Sequence, residues 1–173
     1  GVGGTSTGNS NVGVLIADTN SNITSAGGSV SVTAVGGGVG ASSDNYGLYV
    51  VGQSFISAGG DGNVLVAGTG GTSTGNFNVG VLIADANSKI TSSDGDVSVT
   101  GQGGGSGESS DNHGILVSGA GQITAGGSGS VRVIGTGGEG SGDNNRGVFV
   151  VDANSEITSS GGDITVIGQG GGS

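Results

Sequence analysis

Residues 45–52 read NYGLYVVG, a short apolar run opened by Asn and Gly and closed by Gly. Near copies recur as NVGVLIAD at 11–18 and again at 78–85, NHGILVSG at 112–119 and NRGVFVVD at 145–152. Runs of this length, rich in Val, Ile and Leu and bounded by Gly and Asn, read as strands. Their recurrence makes the repeat the first thing to resolve.

Three anchors march along the chain together. The Asn-x-Gly pair falls at Asn11/Gly13, Asn45/Gly47, Asn78/Gly80, Asn112/Gly114 and Asn145/Gly147. An isoleucine before Thr or Ser follows at Ile23, Ile56, Ile90, Ile123 and Ile157. An alternating strand then starts at Val30, Val64, Val97, Val131 and Ile164. From glycine to isoleucine is alternately 10 and 9 residues, and from isoleucine to the third anchor alternately 7 and 8, so one turn gains what the other loses. The period alternates between 34 and 33, with the change in the glycine-rich segment, and two units make a super-repeat of 67 residues. Segments 3–33 and 70–100 differ at only six positions, which points to duplication.

Each unit therefore reads as three strands and a glycine-rich segment such as GGGVGASSDN, itself either a loop or a fourth small-residue strand. A unit this short cannot bury a core alone, but stacked units share one. The expected fold is all-β: a parallel β-solenoid of five coils of 33–34 residues, a right-handed β-helix by the crossover rule. Its units are approximately 1–34, 35–67, 68–101, 102–134 and 135–168. At the inter-strand spacing of a sheet, five coils rise by roughly 24 Å. Five aliphatic columns should fill the interior: Val14/Leu48/Val81/Ile115/Val148, Ile16/Val50/Ile83/Val117/Val150, the isoleucine anchors, the third anchors, and Val32/Val66/Val99/Val133/Val166. The five asparagines form a column of their own, suited to an amide ladder. The five glycines beside them are read as part of the same structural ladder, marking a corner that needs positive φ or close backbone approach.

Composition narrows the function classes. Among 173 residues 45 are glycine and none is proline or cysteine. Collagen would need glycine at every third residue together with proline, and the alternating runs speak against disorder. The net charge of −10, from thirteen acids and three bases, disfavours a nucleic-acid partner and anionic membrane surfaces. No apolar run is long enough to span a membrane as a helix. The lack of cysteine rules out a disulfide framework and fits a chain exported unfolded. No signal peptide is seen, and both ends fall within the glycine-rich segment without a polar capping unit, as expected of a slice of a longer array or of rods that stack.

The pattern Asn-x-Gly-[Val/Leu/Ile]-x-[Val/Ile], then Ile-Thr-Ser-x-Gly-Gly, then Val-x-Val and a glycine run, resembles the filamentous-haemagglutinin-like and autotransporter-like β-strand repeats of secreted bacterial surface proteins. The resemblance covers the whole chain. It implies an extracellular or cell-surface adhesin or structural fibre, associating with itself end to end or laterally, with a host or matrix surface as a further partner. It carries over no catalytic residue, cofactor or metal.

The rival reading is a carbohydrate-binding or polysaccharide-degrading β-helix, which for catalysis would need a break in the repeat with clustered carboxylates and a base. None is visible. Lys89, Arg132 and Arg146 fall in different columns, and His113 shares its column with Val12, Tyr46, Val79 and Arg146, the tolerance expected of an exposed face. Asp18, Asp85 and Asp152 recur every 67 residues with Gly52 and Gly119 between. They suit turn capping better than calcium, since carboxylates two coils apart cannot share one ion. GGDGN at 59–63 only faintly suggests a calcium-binding nonapeptide. A hydroxyl column, Thr24/Ser57/Thr91/Thr124/Thr158, leaves ice binding as a minor alternative. The acids Asp44, Glu108, Asp111, Glu139 and Asp143 read as a solvated edge.

One column resists the solvated reading. If Leu48 and Val50 point inward, Tyr49 points outward. Its column is Leu15, Tyr49, Leu82, Leu116 and Phe149, apolar in every unit. An apolar stripe along a rod exceeds what a soluble monomer normally exposes, so these five are the candidate lateral contact between rods, with cover by the glycine-rich segment as the alternative.

Overall fold

The computed structural model describes residues 1–172. Among them there are fifteen strands and no helix, hence no helix long and apolar enough to cross a membrane. The strands come in threes. The first coil holds β1 (Val14–Ile16), β2 (Asn22–Ser25) and β3 (Val30–Val35); the second β4 (Leu48–Val50), β5 (Phe55–Ala58) and β6 (Val64–Thr69). The third holds β7 (Val81–Ile83), β8 (Lys89–Ser92) and β9 (Val97–Gln102); the fourth β10 (Ile115–Val117), β11 (Gln122–Ala125) and β12 (Val131–Thr136). The fifth holds β13 (Val148–Val150), β14 (Glu156–Ser159) and β15 (Ile164–Gln169). Equivalent strands pair in three five-stranded sheets, β1-β4-β7-β10-β13, β2-β5-β8-β11-β14 and β3-β6-β9-β12-β15, parallel throughout, as in Val14 with Leu48, Ile23 with Ile56 and Val30 with Val64. The chain is a β-solenoid of five coils.

The alternating turn lengths leave this register intact, because a residue added before the isoleucine is removed after it. A slip of one residue would turn every inward side chain outward. All five aliphatic columns consequently meet in one continuous core. Two narrower inward columns accompany them: Ser25/Ala58/Ser92/Ala125/Ser159 in the second sheet, and Ala34/Gly68/Gly101/Gly135/Gly168 in the third. The glycine column shows how tightly the coil closes. A Cβ on Gly101 would collide with the carbonyl oxygen of Gly114, so the third sheet presses its backbone against the anchor glycine of the first.

The anchor glycines answer to the same constraint, and the positive-φ half of their expected role is corrected. None of Gly13, Gly47, Gly80, Gly114 and Gly147 has positive φ. Each instead faces the backbone of the third sheet. A Cβ on Gly13 would fall 2.5 Å from Val35 O, one on Gly47 2.5 Å from Thr69 N, and one on Gly114 2.5 Å from Thr136 N. On Gly80 it would lie 2.6 Å from both Gln102 N and Gly114 O, and on Gly147 it would collide with Gln169 N. Close approach, not left-handed backbone, is what requires these five.

The glycine-rich segment forms no fourth strand, yet its copies bond to one another from coil to coil. Gly38 N–H donates to Gly4 C=O at 2.8 Å, Gly105 to Gly71 at 2.7 Å and Ser141 to Gly107 at 2.7 Å. A second set closes the fourth corner: Gly71, Gly104 and Gly138 donate to the carbonyls of Asn45, Asn78 and Asn112. In the fifth coil Ile164 and Val166 are 47% and 48% exposed, with no coil among the described residues beyond them, whereas at the other end Ile16, Val30 and Val32 stay buried.

Candidate functional site

The asparagine column stands at the corner between the glycine-rich segment and the first sheet. The residue before each asparagine, Ser10, Asp44, Phe77, Asp111 or Asn144, has φ between 58° and 64°. That left-handed step turns the chain so that the asparagine side chain enters the coil. Asn45, Asn78 and Asn112 are fully buried. The amides connect in one run: Asn11 Nδ2 donates to Asn45 Oδ1 at 2.8 Å, Asn45 to Asn78 at 2.8 Å, Asn78 to Asn112 at 3.0 Å, and Asn112 to Asn145 at 3.0 Å. The other amide proton is used within the coil, on the carbonyl three residues back: Gly8, Ser42, Gly75 and Gly142 accept from Asn11, Asn45, Asn78 and Asn145. Ser42, Ser73 and Ser109, also buried, complete the column; Ser73 Oγ accepts from Asn45 Nδ2 at 2.9 Å, and Ser109 Oγ from Asn112 Nδ2 at 3.0 Å. No buried side-chain polar atom among the described residues lacks a partner. The low dielectric that makes unpaired groups costly here strengthens the paired ones.

The glycines beside the asparagines are not rungs of this ladder, because they bring no side-chain donor or acceptor to it. They bond from coil to coil through the main chain alone. Gly13, Gly47, Gly80 and Gly114 donate N–H to the carbonyls of Tyr46, Val79, His113 and Arg146, and the Gly147 carbonyl accepts from Ile115 N–H at 2.9 Å. The ladder proper is thus Asn11, Asn45, Asn78, Asn112 and Asn145.

Two further ladders escaped the sequence reading. Just before the third strand of each coil, Asn63, Asp96, Ser130 and Asp163 donate their backbone N–H to the side-chain oxygens of Ser29, Asn63, Asp96 and Ser130, at 2.8–3.2 Å. In the glycine-rich segment Ser43, Asn76, Ser110 and Asp143 bond in the same way to Asn9, Ser43, Asn76 and Ser110. Both columns mix Ser, Asn and Asp. The signal available was a short side-chain oxygen at every repeat, rather than one residue type.

The outward column Leu15/Tyr49/Leu82/Leu116/Phe149 does lie opposite the core, but it is not an open stripe. Leu82 and Leu116 are only 6% and 9% exposed; Leu15, in the first coil, is 56% exposed. With Val79 the two central leucines make a second apolar cluster, flanked by Tyr46, Tyr49, Ala84, Phe149 and Val151. Leu82 and Leu116 are therefore covered within a single chain. Side chains one inter-strand spacing apart shield one another along the rod, and the neighbouring columns close the sides.

The column of His113 is part of that cover, which corrects its reading as an exposed face. Val79 and His113 are buried, while Arg146 is exposed with its guanidinium 4.3 Å from the centre of the Phe149 ring. The His113 ring packs edge-on to Phe149, with centroids 5.2 Å apart. Burial pushes its pKa below the ordinary value, against the pull of the Asp111 carboxylate, and the Arg146 charge adds to the depression. In the second coil Tyr46 packs edge-on to Tyr49 at 5.0 Å and donates its hydroxyl to Asp44 at 3.0 Å. Burial raises both tyrosine pKa values, with nearby aspartates adding to the rise.

The recurring aspartates have a backbone explanation. Asp18, Asp85 and Asp152 sit at φ 73°, 73° and 74°, and Gly52 and Gly119 in the same place at 71° and 58°. Left-handed backbone is open to Gly and tolerated by Asp, so the two alternate in one column. Capping by the residue's own carboxylate is not the common feature: Asp152 instead accepts from Gly119 N–H of the preceding coil at 3.0 Å. Among the described residues no three His, Cys, Asp or Glu side chains converge as a metal site. The hydroxyl column Thr24/Ser57/Thr91/Thr124/Thr158 is continuous, and Thr158 donates to Thr124 at 3.1 Å. Its neighbour on the same face is Asn22/Phe55/Lys89/Gln122/Glu156, which breaks any flat hydroxyl lattice.

Compared with family models, curated proteins and solved structures, the chain matches none of them.

Proposed function

We propose that the chain is a structural or adhesive solenoid of the cell exterior, building a surface fibre or stalk, without catalysis of its own. The observation that carries this is continuity. Every inward column and three hydrogen-bonded ladders run through all five coils without an interruption in register, and the outer apolar cluster spans the second coil to the fifth. A β-helix enzyme needs a break where carboxylates and a base converge, and the unbroken geometry of this rod serves coil-on-coil cohesion instead. The finer likeness, to filamentous-haemagglutinin-like and autotransporter-like repeats, rests on the repeat motif and accounts for an acidic, cysteine-free, glycine-rich rod. Self-association, end to end or laterally, and contact with a host or matrix surface belong to the same proposal.

Electron microscopy of the purified chain tests it. Extended rods or filaments are expected, with no turnover of polysaccharides and no loss of structure in chelator. Compact, monodisperse particles that degrade a polysaccharide would overturn it. The buried state of Leu82 and Leu116 directs the test of lateral contact to Leu15, Tyr49 and Phe149, whose side chains remain partly open.

A further inference from the structure

The outer face of the second sheet carries a groove of about 280 Å³ across the first three coils. Its lining is Asn20, Gln53, Phe55, Ser57, Asn87, Lys89 and Thr91. Two features set it apart. The first is an aromatic ring where the other coils place Asn22, Lys89, Gln122 and Glu156, so that Phe55 is the one apolar side chain in a polar outward column, and it is partly open. The second is charge. Lys89 is the only lysine of a chain with thirteen acids, yet no carboxylate lines the groove, and its Nζ lies 6.0 Å from the centre of the Phe55 ring. Its rim is also held rigid by a turn that recurs in every coil, at Ala120 and Asn154 as well. Asn20, Gln53 and Asn87 sit in left-handed backbone at φ 67°, 68° and 67°, and Gln53 N–H is held by Ser88 Oγ at 3.1 Å. Strand pairing sets Phe55 beside Lys89 and Ser57 beside Thr91.

We propose that this groove is a subsite for a saccharide carrying a carboxylate, a uronate-type pyranose. The apolar C–H face of such a ring matches the Phe55 ring. Its hydroxyls match three amides and two hydroxyls, and its carboxylate matches the lysine. Few convergent polar groups around an aromatic floor are the ordinary composition of a ligand site, and the volume, just below the ~300 Å³ at which such sites begin, suits one ring rather than a buried chain. The net charge of −10 repels a polyanion at long range, but at physiological salt charges more than about 8 Å away are largely screened, which leaves the lysine to act locally. The proposal does not depend on the fibre reading, since the groove lies within three coils of a single rod.

The test uses tri-galacturonate as the acidic probe and maltotriose as the neutral one, followed by NMR titration of the backbone amide resonances of Gln53, Ser57 and Thr91, which line the groove in the wild type and in both variants, at 0.15 M salt. Phe55→Asn and Lys89→Asn are the variants, because Asn22 already occupies this column in the first coil and the fold tolerates it; circular dichroism checks that, and Lys89→Gln is the fallback. Expected are saturable shifts with tri-galacturonate, at least tenfold weaker binding in either variant, and maltotriose binding at least tenfold weaker than the acidic probe. Absence of saturable shifts, or shifts that survive both substitutions, would show the groove to be only the packing of a lysine stem on a ring. Equal binding of maltotriose, indifferent to Lys89→Asn, would overturn the carboxylate specificity. Filament images of the same variants report separately on the fibre reading.

Discussion

Replacing Asn78 by alanine removes the middle rung of the amide ladder and measures what that ladder contributes. Its Oδ1 accepts from Asn45 Nδ2 at 2.8 Å and Ser73 Oγ at 2.9 Å; its Nδ2 donates to Asn112 Oδ1 at 3.0 Å and to Gly75 C=O. Three of these partners keep a second contact. Asn45 Nδ2 still reaches Ser42, Ser73 Oγ still reaches the Ser42 carbonyl, and Asn112 Oδ1 still accepts from the residue 78 N–H. The Gly75 carbonyl loses its side-chain donor. One orphaned, half-buried acceptor costs at most about 1–3 kcal/mol, and each weakened bond a fraction of the usual net ~1 kcal/mol. The expected loss is therefore about 3 kcal/mol, read from the denaturation midpoint at unchanged m-value. Asn78→Asp sharpens the test. A carboxylate accepts only, so at neutral pH its oxygens would face those of Asn112 and Gly75, and the variant should be less stable than Asn78→Ala. Burial among acceptors raises the folded pKa of that carboxyl above its unfolded value of ~4, so protonation restores a donor and the gap should narrow as pH falls toward about 4. Asn22→Ala, at an exposed amide with one bond to Asn20 C=O, serves as the control and should change stability by less than about 0.5 kcal/mol. If Asn78→Ala behaves like that control, or if the Asp variant matches wild type at neutral pH, the ladder is not what holds this corner.

Further outcomes follow from single residues. His113 is held neutral by burial, its folded pKa below the unfolded value near 6.5. Its contribution is thus fully present above about pH 6.5 and fades as pH falls through the folded pKa; His113→Val, the residue of the third coil, should remove that acid sensitivity in a pH series of melting curves. Gly80→Ala should cost at least about 3 kcal/mol or prevent folding, because its Cβ meets two backbone atoms at 2.6 Å. Gly27→Ala, with nothing within 4 Å, should be neutral or gain about 0.4–1 kcal/mol. Asp85→Gly should be close to neutral in thermal melts, whereas Asp85→Val should cost about 1–2 kcal/mol at φ 73°; equal effects would return the aspartate to a side-chain role.

What sequence made legible is what repeats as a residue type. Isoleucine and valine columns declare themselves because an inward site in a narrow coil accepts little else, and Asn-x-Gly does so because an amide ladder needs both a donor and an acceptor at each rung. The reason for the glycine was only half legible. A repeated Gly is compatible with positive φ or with a crowded backbone, and only the nearness of Val35 to Gly13, or of Gln169 to Gly147, decides between them. What stayed hidden is what repeats as a physical property shared by several residues. Ser29, Asn63, Asp96, Ser130 and Asp163 do not look like a column until each is seen as a short oxygen acceptor. Asp18 and Gly52 do not look equivalent until their φ values are compared. The outer ribbon was misjudged for a related reason. Alternation along one strand assigns Leu82 to the outside, but its cover comes from Val79 and Leu116 and their neighbours. Those lie in the same column and the adjoining one, and only three-dimensional stacking shows how completely they shield it.

The bonds that join coil to coil all run near the long axis of the rod, and that fixes how it answers to force. A pull on its two ends does not shear long strands past each other. It loads one coil interface at a time, a few bonds across each sheet and one rung of each ladder. A coil that yields replaces a rise of about 4.8 Å by some 33–34 residues of free chain, on the order of 110 Å when extended. Each coil is thus a fuse holding more than twenty times its own height in slack. A stalk built this way lengthens stepwise under tension before its attachment gives, and recoils coil by coil as the load is released.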